Sequence, residues 1–133
     1  MAGRPLYMKL GIKQSMRVCV INTPTDYLSL IAWEDKPFDM GGPESGKLDF
    51  VHIFSTNEED LIHQIESCLP RLNKTGMLWI SWPKKSSPVK STIDKWDVMR
   101  IGQESGLVDV KVCSVNDDWS GHKFVYRIKD RKV

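Results

Sequence analysis

Leu48-Asp-Phe-Val-His-Ile-Phe54, followed at once by Ser55-Thr-Asn-Glu-Glu-Asp60, is the stretch that decides the fold. Its first half is an apolar run interrupted only by Asp49 and His52, and reads as a strand. Its second half is a strong helix start, with Thr56 and Glu59 at capping-box spacing. Leu61, Ile62, Ile65, Cys68, Leu69 and Leu72 then form one helical stripe. Pro70 breaks its last turn, because proline has no N–H to donate and its ring clashes with the preceding turn. Asn73-Lys-Thr-Gly76 reads as a turn, and Met77-Leu-Trp-Ile-Ser-Trp82 as a buried strand that ends at Pro83. Strand, helix and strand in this order make the unit of a parallel sheet.

Working outward toward the N-terminus, Arg17-Val-Cys-Val-Ile-Asn22 reads as another buried strand, and Pro5 to Leu10 as a short lead-in helix or turn. Thr23 before Pro24 is a natural N-cap, because proline suits the first helical position. Tyr27, Leu28 and Ile31 follow at helical spacing. Residues 33–47, rich in Gly, Pro and charge, read as loop with room for one short strand. Toward the C-terminus, Ser91 or Thr92 is expected to cap a helix that runs to about Ser105, with Gly106 in the left-handed position after it. Leu107 to Val115 alternates: Val108, Val110 and Val112 are expected to face one way and Asp109 and Lys111 the other, a charged face that suits a sheet edge. A loop at 116–121 joins it to a last strand, Lys123 to Ile128, so these two strands should pair antiparallel. The whole order predicts a three-layer, Rossmann-like α/β fold with a mainly parallel sheet, helices on both faces and a C-terminal antiparallel strand pair, in one domain spanning 1–133.

Composition narrows the function classes. An apolar fraction of 41% and a charged fraction of 27% suit a globular chain. The start has no signal-type apolar core, and no apolar run reaches membrane-spanning length, so a cytoplasmic protein is expected. Cys19, Cys68 and Cys113 each sit in an apolar stretch without CxxC spacing, which predicts reduced core thiols and no metal site. The net charge of +2 argues against a dedicated nucleic-acid binder. It is unevenly spread, however. Residues 1–66 carry six Lys or Arg against ten Asp or Glu, and residues 67–133 carry thirteen against seven. A basic second half can attract an anionic ligand.

The stretch DFVHIFSTNEEDL with its later TGMLWISW resembles the second half of class I methyltransferases, and the closing strand pair resembles that fold's terminal hairpin. Nearly the whole chain resembles a bacterial family of small proteins of unknown function, through LGIK, RVCVIN, DFVHIF, SWPKK, GLVDVKVC and WSGHKFV. The resemblance implies a minimal methyltransferase-like fold and brings no activity with it. Methyltransferases place a glycine-rich turn after the first strand, where the backbone must approach the cofactor closely. Here that turn is Asn22-Thr-Pro-Thr-Asp26, without glycine, and the acidic position after the next strand would fall too early, on Glu34 or Asp35. No S-adenosylmethionine is therefore expected in the usual pose, and no cofactor is assigned.

Ligands of open α/β sheets bind beyond the carboxyl ends of the parallel strands. That rule gathers Asn22, Thr23, Thr56, Asn57, Trp82, Lys84, Lys85, Trp119 and His122 as candidate ligand-binding residues. Trp82 beside Lys84 and Lys85 suits a planar anion, and the helix starts near Asn22 and Thr56 should offer free amide N–H groups to negative charge. Trp82 and Trp119 read equally as core residues. His52, between Phe50 and Phe54, reads as a satisfied core histidine, and Asp117-Asp118 as turn formers. His122 beside those carboxylates is the better candidate base, but no nucleophile elbow supports a triad through Ser81 or Ser120. The reading is a non-catalytic module for a small anionic ligand or a protein partner. The alternative is an atypical transferase, S-adenosylmethionine-dependent or other, and nucleic-acid binding through Lys84, Lys85 and Lys90 is the weakest option.

Overall fold

The computed structural model describes residues 5–13, 15–24, 26–33, 39–40 and 47–130. Six strands form one sheet in those residues: β1 (Arg17–Ile21), β2 (Asp39–Met40), β3 (Leu48–Phe54), β4 (Leu72–Pro83), β5 (Leu107–Ser114) and β6 (Trp119–Tyr126). Their order is β2-β1-β3-β4-β6-β5. The first three junctions are parallel, and β6 runs antiparallel to both β4 and β5. The expected parallel neighbours and closing antiparallel pair are therefore present. β2 is the short strand allowed for in residues 33–47; Glu34, Asp35 and most of that loop lie outside the described residues.

The helices are α1 (Leu6–Leu10), α2 (Tyr27–Leu30), α3 (Glu58–Cys68) and α4 (Lys95–Glu104). They cover two faces. Leu61 and Ile65 of α3 and Val98 and Ile101 of α4 pack on Val51, Leu78, Ile80, Trp82 and Phe124. Leu10 of α1 and Tyr27 of α2 pack on the other face, against Phe50, Phe54, Trp79 and Trp119. Full burial of each such side chain stabilises by about 1.5–3 kcal/mol. The Trp79 indole N–H donates to the carbonyl of Leu10 at 2.9 Å, which pins α1 to the sheet. Arg100 of α4 pairs with Glu58 and so ties the two helices of the first face together.

The helix starts differ from the sequence expectations by one to three residues. Asp26, not Thr23, caps α2; Asn57, not Thr56, accepts the amide of Asp60 and caps α3; and Asp94, not Ser91 or Thr92, forms a capping box with Asp97 in α4. Asp and Asn outrank Thr at this position because their oxygen reaches the second or third amide more readily. Gly106 has the expected positive φ, 93°. Asn73 to Gly76, expected as a turn, are the irregular start of β4. The register there jumps from Leu48 opposite Leu72 to Phe50 opposite Met77, and Asn73 donates to the Asp49 carboxylate at 2.8 Å.

A bulge also corrects the reading of β5. Asp109 lies opposite Phe124 and Lys111 opposite Lys123, neighbouring residues that point to opposite faces of β6. Asp109 and Lys111 thus fall on different faces, and the valines do not share one. An edge bulge of this kind breaks the ladder and discourages pairing with another chain. No described helix is long and apolar enough to cross a membrane.

Candidate functional site

The candidate residues separate into three places along the carboxyl edge. At the first, between β1 and β3, Asn22 takes a left-handed conformation, φ 59°, that ends its strand. Its amide donates to the Asp60 carboxylate at 3.4 Å, and the Ser55 hydroxyl donates to the same oxygen at 3.1 Å. Thr23 is exposed. The carbonyl of Thr56 accepts the amide of Thr92 at 2.9 Å, joining this turn to the segment before α4. The expected seat for negative charge is missing here. Asn57 already satisfies a free amide, and Glu58, Glu59 and Asp60 fill the first turn of α3 with carboxylates, which are what the helix dipole favours there.

The second place is the far face, where Trp119 is 7% exposed and packs edge-on against Phe54 with ring centroids 5.3 Å apart. It is a core residue. Its loop is shaped by Asn116, whose side chain accepts the amides of Asp118 and Trp119 at 2.8 and 2.9 Å, so that role does not belong to Asp117 and Asp118. The same face holds His52, fully buried. Tyr27 Oη lies 2.6 Å from its Nδ1 and Ser81 Oγ 2.7 Å from its Nε2. Burial pushes its imidazole down to about 3, so the ring is neutral. This is the satisfied core histidine the sequence suggested, and its use of Ser81 removes that hydroxyl from any triad with His122.

The third place brings Trp82, Lys84 and Lys85 together, and His122 lies buried next to Trp82 without joining them at the surface. A groove of about 350 Å³ runs between the end of β4, the start of α4 and the β5–β6 pair. Lys84, Lys85, Lys95 and Trp96 line it together with Trp82, Ile93, Val112 and Ser120. Lys84 turns outward, donating from Nζ to Ser114 Oγ on β5 at 2.6 Å, toward the sheet edge opposite Asn22. Its neighbour Lys85 is exposed and acts on Asp94, whose carboxyl is held below the ordinary range first by the amide of Asp97. Asp94 is the groove's one carboxylate among the described residues, and capping occupies it. The groove is therefore cationic, with an indole that is 68% exposed at its rim and Lys95 Nζ 5.3 Å from that ring's centroid.

His122 is buried in the sheet beside the groove and does not line it. It is 2% exposed, stacked on Phe124, and 6.4 Å from Trp82 by ring centroid. Its Nε2 lies 3.5 Å from Asp109 Oδ2, and its Nδ1 has no hydrogen-bond partner among the described residues. Burial lowers its pKa, an effect partly opposed by Asp109 and reinforced by Lys95. Sequence reasoning missed Lys95, Trp96 and Val112, and weighed Ser120 only as a nucleophile. One signal was available: Trp96 lies off the Val98–Ile101 stripe that buries α4, and a tryptophan on the polar face of a helix is informative. A larger depression, about 530 Å³, follows the outside of α3, but that helix alone lines it and its Glu59, Asp60 and Glu66 repel anions.

A family described as a protein of unknown function (DUF3052) matches residues 44–128. No curated protein matches significantly. Solved structures share the fold. A glycopeptide N-methyltransferase superposes with a TM-score of 0.60 at 14% identity, covering 90% of this chain and 87% of that one. A ribosomal protein L11 methylase from Lactobacillus delbrueckii subsp. bulgaricus gives 0.59 at 15% identity, covering 92% and 76%. A SAM-dependent methyltransferase from Aquifex aeolicus gives 0.57 at 19% identity, covering 88% and 85%. At these identities the likeness is one of fold: an α/β sheet, mostly parallel, with antiparallel strands at its end.

Proposed function

We propose, for a chain that belongs to the family of proteins of unknown function DUF3052, that it is a cytoplasmic, non-catalytic binding module for a small anionic ligand on a methyltransferase-like fold. The observation that carries this reading is the cationic groove, which Lys84, Lys85 and Lys95 line beside the exposed Trp96, and whose one carboxylate among the described residues is engaged in capping α4. Ammonium groups supply attraction and the exposed face of Trp96 supplies a platform for a flat group. The volume lies at the small end of the range for ligand pockets, which suits a compact molecule.

The alternative, an atypical S-adenosylmethionine-dependent transferase, is favoured by the fold shared with methyltransferases. The residues at the cofactor's usual place do not fit that group well. The turn after β1 has no glycine, and the Asn22 side-chain amide and the Ser55 hydroxyl both donate to the Asp60 carboxylate at the β1–β3 crevice. A pair of titrations separates the readings. Trp fluorescence should respond saturably to benzoate and not to S-adenosylmethionine; micromolar affinity for the latter would replace the first reading with the second.

A further inference from the structure

We propose that the ligand of this groove is a phosphate monoester carried on a flat ring, with the ring on the Trp96 indole and the phosphate on Lys85 and Lys95; this rests on the groove reading above. The charge balance comes first. Lys84, Lys85 and Lys95 against Asp94 give the described lining a formal charge of +2. A single carboxylate on the ligand would leave one of those charges uncompensated. A phosphate monoester carries close to two negative charges at neutral pH and meets both.

The kind of cation points the same way. No arginine lines the groove among the described residues. A planar carboxylate is held best by a guanidinium, whose parallel N–H groups match its two oxygens. An ammonium group acts as a point charge, and several can share the oxygens of a tetrahedral phosphate. The start of α4 does not compete for this role. The Asp94 side chain already accepts the amides of Trp96 and Asp97 at 3.0 and 3.1 Å, so recognition of charge falls to the lysines. Lys84 spends one of its donors on Ser114, which leaves the exposed Lys85 and Lys95 as the main pair.

The ring follows from Trp96. Its indole is exposed and lies off the Val98–Ile101 stripe that packs α4 on the sheet, so core packing does not account for it. A flat aromatic face is a platform for another ring. Val112, also exposed, adds apolar surface to the same lining. Lys95 Nζ lies 5.3 Å from the indole centroid, so charge and platform fall within the span of one small molecule whose phosphate is attached to its ring.

The test is calorimetric titration of the purified full chain with phenyl phosphate, benzoate and inorganic phosphate at one pH and ionic strength. Phenyl phosphate shares its ring with benzoate and its charged group with phosphate, and it should bind about tenfold tighter than either. Trp96→Ala should lower phenyl phosphate to the level of inorganic phosphate. Lys85→Gln with Lys95→Gln should abolish its advantage over benzoate. All three side chains are exposed, so these variants keep the fold. Phenyl phosphate binding no tighter than benzoate, or no tighter than inorganic phosphate, overturns this ligand class and leaves the groove reading standing. An advantage that survives both variants overturns it as well. A short single strand of DNA that binds tighter than phenyl phosphate overturns it in favour of a nucleic-acid groove. Binding of none of the small anions overturns both readings.

Discussion

Two buried histidines lie on opposite faces of one sheet, and the contrast between them separates a satisfied buried network from an incomplete one. His52 on β3 has both nitrogens engaged, by Tyr27 from α2 and Ser81 from β4, among Phe50, Phe54 and Trp79. His122 on β6 is as dry, yet one nitrogen has only a long contact with Asp109 and the other has no partner among the described residues. A satisfied buried network rigidifies a core, whereas a half-satisfied one destabilises it unless something else completes it. The first histidine is a structural element, and the second is an incomplete one beside a cationic groove.

Acid should break the comparison most strongly. Burial holds the folded pKa of His52 near 3, well below the ordinary 6.5. The stability it confers is fully present above pH 6.5 and is lost as pH falls through the window down to about 3. The slope from this residue is about 1.4 kcal/mol per pH unit. Urea unfolding at a series of pH values should show that slope, and His52→Gln should flatten it. A parent slope that His52→Gln leaves unchanged would assign acid sensitivity elsewhere.

Removing each histidine is the next sharper test. His52→Leu leaves the Tyr27 hydroxyl and Ser81 hydroxyl buried without their partner and should cost about 2–4 kcal/mol. His122→Phe removes an unpaired nitrogen and should stay within about 1 kcal/mol of the parent. Equal losses would erase the distinction between the two sites.

A third variant tests the platform under His122. A Cβ added at Gly102 of α4 would fall 2.2 Å from the Phe124 ring on which the imidazole stacks. Glycine to alanine inside a helix usually stabilises by up to about 1 kcal/mol. Here Gly102→Ala should destabilise by about 1–3 kcal/mol, because the ring must move in a packed core. Thermal unfolding decides the sign.

The smallest stability effect belongs to the groove itself. Lys84→Ala with Lys85→Ala should change stability by less than about 1 kcal/mol, since exposed charges contribute little, while weakening benzoate binding severalfold. A double variant that unfolds would make these lysines structural.

Periodicity carried the architecture because long apolar runs have few alternatives. LDFVHIF and MLWISW can hardly be anything but buried strands, and their spacing around one helix dictates parallel neighbours. Local competition between similar residues was illegible. Thr56 and Asn57, or Ser91 and Asp94, are all fair caps, and one hydrogen bond decides between them. The β5 bulge was hidden because an inserted residue leaves the alternation of valine and charge intact on paper while rotating Lys111 to the other face. The site was half legible. Trp82, Lys84 and Lys85 are close in sequence, but Lys95 and Trp96 join them only through the packing of α4 on the sheet. The link from His52 to Tyr27, 25 residues away, is likewise a product of packing.

The most direct measurement is nitrogen NMR of the imidazole and indole side chains during a benzoate titration. The groove account expects saturable shifts at the Trp96 indole, with His52 and Trp79 unmoved. Shifts centred instead on residues of the Asn22–Ser55 crevice, or none at saturating benzoate, would contradict it.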